Sequence, residues 1–138
     1  MRILNVVGLG AMLALTAALG CSSGKTVPLQ PTQSVPAALG EVHATKTDQG
    51  NTRVDVQVSY LAPPQNVDPG SHVYVVWAQP KDGSTPQNIG ALEVGKDRKG
   101  RLETLTPLEK FEILVTPEPE RNAKQPTNKP VMTADVSP

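Results

Sequence analysis

Cysteine occurs once in this chain of 138 residues and histidine twice, and the aromatics are one tryptophan, two tyrosines and one phenylalanine. A lone thiol forms no internal disulfide and cannot supply the several ligands of a Cys-rich metal site. Charge of one sign is also missing, because thirteen basic and thirteen acidic side chains cancel. Nucleic-acid binding needs a concentrated basic surface, and electrostatic adhesion to a membrane needs the same, so neither is expected. Beyond residue 21 no apolar pattern of period 3.6 lasts two helical turns, which removes helical bundles from consideration.

What is present begins at the N-terminus. Met1-Arg2 gives a short positive start, Ile3 to Leu19 is apolar apart from Asn5 and Thr16, and Ala17-Ala18-Leu19-Gly20 leads into Cys21. A positive start, an apolar stretch and small residues at a cut site define a secretory signal peptide. Cysteine directly after that site resembles the bacterial lipobox, in which the thiol receives diacylglycerol and the peptide is cut just before it. Ala18 and Leu19 stand in swapped order relative to the usual pattern. The apolar stretch of 17 residues falls short of the roughly 20 that span a bilayer. Residues 1–20 are therefore expected to be removed, leaving 118 that are exported and held to a membrane through Cys21. Ser22, where Asp often retains lipoproteins at an inner membrane, favours outer-membrane sorting if the cell has one.

Ser22 to Ala37 holds Pro28, Pro31 and Pro36 among small polar residues. Too little apolar surface is available to offset ordering entropy, so residues 21–37 read as the lipidated cysteine and a disordered tether. From Leu39 onward the period becomes two. In Thr52 to Tyr60, Val54, Val56, Val58 and Tyr60 alternate with Arg53, Asp55, Gln57 and Ser59, a strand with one wet face. Asp48-Gln49-Gly50-Asn51 is turn chemistry, making Glu41 to Thr47 the other arm of a hairpin. His72 to Gln79 is apolar on both faces at its centre, the mark of an interior strand. Gln87 to Val94 follows, with Gly90 as a candidate bulge, then Arg101 to Thr106, Lys110 to Thr116 and Val131 to Val136. The expectation is an all-β domain over 38–138, an antiparallel sandwich of about seven strands with an immunoglobulin-like character, or secondly a small barrel.

The series His72-Val-Tyr-Val-Val-Trp77, Asn88-Ile-Gly90 and Phe111-Glu-Ile-Leu-Val-Thr116-Pro-Glu118-Pro119 resembles the extracytoplasmic C-terminal domain of the anti-sigma-K factor (RskA-like) family. It covers roughly residues 51–130. The resemblance implies a β-sandwich and brings no catalytic residue. Members of that family carry a sigma-binding domain and a membrane helix ahead of this module, and neither is read here. The Gly-Gly-Ser turn expected after Glu-Pro is replaced by Glu120-Arg-Asn-Ala-Lys124.

Trp77 sits in an interior strand and reads as core. His43, His72 and Met132 offer the donor types of a soft copper site, but their separation has no ligand spacing. Ser71-His72 is not a nucleophile–base pair, since neighbours in a strand point to opposite faces. Asp55, Glu93, Glu103, Glu109 and Glu112 all fall in wet-face contexts. The loop bearing Glu118, Glu120, Arg121 and Lys124 is the candidate partner-binding segment. The reading is a non-catalytic lipid-anchored envelope protein, an interaction or sensory accessory module that takes no cofactor and binds no nucleic acid. Its expected partners are the membrane, through Cys21, and an envelope protein. The alternative is an extracytoplasmic carrier of a small ligand or metal.

Overall fold

The computed structural model describes residues 24–138, so the expected signal peptide and Cys21 lie outside the described residues. The elements are β1 (Lys25–Pro28), β2 (Gln30–Pro31), β3 (Leu39–Lys46), β4 (Thr52–Ser59), α1 (Pro64–Val67), β5 (Val73–Pro80), β6 (Gln87–Leu92), β7 (Gly100–Thr106), β8 (Phe111–Glu118) and β9 (Met132–Val136). They form two antiparallel sheets, β1-β3-β4-β7 and β2-β9-β8-β5-β6, packed as a sandwich and not closed into a barrel. Strands β3 and β4 stay together in the first sheet and the chain then crosses to the second at β5, as an immunoglobulin chain crosses after its second strand.

Alternation puts Val54, Val56 and Val58 of β4 on the inner face, beside Val42 and Ala44 of β3, and all five are buried. Tyr74, Val76 and Ala78, Phe111, Ile113 and Val115, and Met132, Ala134 and Val136 face them from the second sheet. Each large apolar side chain sealed here contributes about 1.5–3 kcal/mol, which is what joins the layers. The opposite face of the first sheet is wet. There Arg101 donates to both carboxylate oxygens of Asp55, at 3.0 and 2.6 Å. These hydrogen bonds hold the Asp55 carboxyl below its ordinary range against the opposing effect of burial.

Three local outcomes depart from the sequence reading or refine it. The stretch expected to be a tether is part of the domain from its fourth residue, with β1 pairing with β3 and β2 with β9. Leu29, Val35 and Ala38 are buried. The prolines do not prevent this, because β1 and β2 are edge strands, where a missing N–H breaks no ladder. These two short strands raise the count from about seven to nine.

Tyr60, expected in the core, is 62% exposed, and Leu61 takes the buried place. A left-handed backbone at Tyr60 (φ 55°) breaks the alternation and turns the ring outward. That conformation costs a non-glycine residue about 1–2 kcal/mol.

Gly90 does seat a bulge: the β5–β6 register shifts between Val76 and Trp77, and Gly90 has φ 146°. That backbone region favours glycine, and a Cβ there would lie 2.9 Å from a methyl of Leu102, so a larger residue would also force Leu102 of β7 to move.

The connections sort by length onto the two ends of the sandwich. Residues 47–51, 81–86 and 107–110 turn at the end where β1 begins, beside Lys46 and Thr106. Residues 32–38, 60–72, 93–99 and 119–131 turn at the other end.

Candidate functional site

The four connections at the far end are bonded into one body. Leu61 N–H donates to the Arg98 carbonyl (3.2 Å), joining 60–72 to 93–99. Asn128 Nδ2 donates to the Pro117 carbonyl (2.7 Å) and to Asp68 (3.3 Å), joining 119–131 to 60–72. Thr32 N–H donates to the Val131 carbonyl (2.8 Å), and Arg121 pairs with Glu93. Asn88 Nδ2 reaches the carbonyls of Arg121 (3.0 Å) and Ala123 (2.9 Å), fixing the segment against β6.

Segment 119–131 folds over the outer face of the second sheet, where Val75, Trp77, Thr116 and Glu118 are fully buried. Trp77 Nε1 donates to Thr116 Oγ1 (2.8 Å), and that hydroxyl donates to Glu118 Oε1 (2.7 Å). Glu118 also accepts from Thr127 N–H (2.9 Å) and from the Thr127 hydroxyl. Glu118 was expected in the exposed partner-binding loop, and this is corrected: it ends β8 and pins the loop from beneath. A carboxylate leaves water only where donors replace its hydration, and three converge here. Glu120, Arg121 and Lys124 are exposed, as expected of a contact segment.

Between 60–72, 93–99 and 119–131 lies an open cleft of about 470 Å³, with Tyr74 and Leu92 at its floor and His72, Lys96, Glu93 and Arg121 around it. Sequence reasoning missed this cleft, because its walls run from Pro63 to Arg121 and come from residues far apart in the chain. Tyr74 donates its hydroxyl to the Ala62 carbonyl (2.6 Å), and burial pushes its phenol up to about 12. The free energy tied to this shift is fully present below the ordinary tyrosine pKa near 10 and is lost as pH rises toward 12. Two units correspond to roughly 2–3 kcal/mol. Urea unfolding of the wild type is expected to lose about that much between pH 9.5 and 12, and Tyr74→Phe should flatten the dependence. An unchanged pH slope in Tyr74→Phe refutes the assignment.

The other candidate residues do not converge. His43 lies on the wet face of the first sheet, bonded to the hydroxyls of Thr26 (2.8 Å) and Thr45 (3.3 Å). Met132 is sealed in the core, and His72 is exposed at the start of β5. Among the described residues no group of three His, Cys, Asp or Glu side chains is placed to hold a metal ion. Ser71 donates its hydroxyl to Asp68 (2.6 Å) inside a turn, so its proton is committed to a carboxylate and not to an imidazole. Asp55, Glu93, Glu103 and Glu109 pair with arginine or lysine on the surface. Trp77 is buried as expected.

In comparisons with known proteins, no family model, no curated protein and no solved structure matches this chain.

Proposed function

We propose that this is a lipid-anchored, non-catalytic protein of the cell envelope that binds a protein partner through the loops at one end of its sandwich. The observation that carries the reading is the arrangement of the four long connections, which are hydrogen-bonded to one another at the end away from the start of β1. Loops held in one shape lose little entropy when a partner docks, which suits recognition. Kinship with the extracytoplasmic module of anti-sigma-K factors enters as part of this proposal, carried by the motif series from His72 to Pro119 alone. The alternative of a metal carrier built on His43, His72 and Met132 draws no support from their separate positions.

Cys21→Ser is expected to move the protein out of the membrane fraction or to leave it as unprocessed precursor. Persistence of a mature, lipid-modified species in that variant overturns the anchor. For the binding half, a partner captured by the intact lipoprotein should be lost on Lys124→Glu combined with Glu120→Lys. Equal capture by the reversed pair refutes the role of segment 119–131.

A further inference from the structure

Tyr60 combines two properties that contribute nothing to stability. Its backbone is in the left-handed region, and its ring is largely in water. Strain at an exposed aromatic needs a reason outside the folding of the domain, and strained positions gather at contact sites. Leu39, the next most exposed large apolar residue at 61%, is opposite Ser59 in the β3–β4 register, one residue from Tyr60. Ser59 and Lys99 share a shallow hollow with Gln57, Gly100 and Arg101. Arg98 is also left-handed (φ 60°) and holds Leu61 N–H through its carbonyl. Among the described residues Lys96, Arg98 and Lys99 have no ion-pair partner. Asp97, the one acid among them, accepts from Lys99 N–H at 3.1 Å.

We propose that Tyr60 and Leu39, flanked by Arg98 and Lys99, dock an acidic segment of a protein partner that presents an apolar side chain. This rests on the reading of the chain as an envelope interaction module and names its contact surface and the chemistry of its partner. An aromatic anchor beside a guanidinium is the composition that carries binding energy at protein interfaces. A second copy of the chain does not fit, because a two-fold interface would set the same unpaired cations against each other. Contact with a bilayer is the competing outcome, and adducts to lipid in the test below reveal it.

The test uses the full chain in its native envelope, with p-benzoylphenylalanine in place of Leu39 as a photo-crosslinking probe. One protein adduct is expected, with a cross-linked peptide rich in Asp and Glu around an apolar residue. Its yield should fall at least fivefold with Tyr60→Asn and with Arg98→Glu combined with Lys99→Glu. Asparagine tolerates the left-handed backbone, so Tyr60→Asn should keep or raise Tm; a fall in Tm assigns Tyr60 a structural role and overturns the proposal. Adducts to lipid or to a second copy of this chain overturn it too, as does an undiminished yield. The same probe in place of Lys124 separates the two readings. Adducts from 124 with none from 39 refute this surface and leave the proposed function standing, and adducts from neither refute both.

Discussion

Trp77→Ala is expected to remove about 3–5 kcal/mol of stability, a large part of the 5–15 kcal/mol that a domain of this size has. The ring is fully buried, yet it is not in the core between the sheets. It lies on the outer face of the second sheet, under segment 119–131. Truncation leaves a cavity there and takes away the donor to Thr116 (2.8 Å), whose hydroxyl orients Glu118 (2.7 Å). The loss should therefore be local as well as large, with amides of 119–131 exchanging hydrogen faster than those of β3 and β4. Trp77→Phe separates the two causes, since it keeps most of the packing and forfeits one hydrogen bond, about 1 kcal/mol. Denaturant unfolding with hydrogen exchange measures both. An Ala variant as stable as the wild type places the ring outside any packed layer and refutes the account.

Val56→Asp is expected to cost about 3–5 kcal/mol or more, while Gln57→Asp stays within roughly 0.5 kcal/mol. Val56 is fully buried between Val42 and Leu102 in the first sheet and faces the second. A carboxylate there has no cation and no donor, so its lost hydration is uncompensated. Gln57 points to water between Glu41, which would repel a new acid, and Arg101, which would attract it. The two positions are adjacent, and only the pleat separates their fates. Register in such a strand is strongly held, because a one-residue slip would exchange the wet and dry faces. Equal midpoints of unfolding for the two variants would refute both the strand phase and the core built on it.

The sandwich was legible because its signals are local. Val54, Val56 and Val58, and Phe111, Ile113 and Val115, alternate without interruption, and period two in β-branched residues has one physical solution. Gly90 was legible as a bulge for the same reason, a glycine inside a strand pattern. Tyr60 was not. Its place in the alternation predicts burial, and nothing in Ser59-Tyr60-Leu61 announces that the backbone will turn left-handed and give the core to Leu61. The segment before residue 38 misled by composition: three prolines and small polar residues suggest disorder, but edge positions accept proline and Leu29 and Val35 find a core to enter. Glu118 misled by its type, since a glutamate between prolines reads as surface until Thr116 and Thr127 are seen to converge on it.

The sequence by itself determined the all-β class, the phase of the long strands, the burial of Trp77 and the overall balance of charge. Those properties depend on residue type and on neighbours two positions away. Only the tertiary structure decided which loops share an end, that Glu118 pins segment 119–131, and that Tyr60 stands in water near Leu39, Arg98 and Lys99, the last two without an ion-pair partner among the described residues. Each of these is a meeting of residues far apart in the chain. Loop closure makes such meetings cheap for the folded domain and invisible to periodicity, because the entropy of closing a loop grows only slowly with its length.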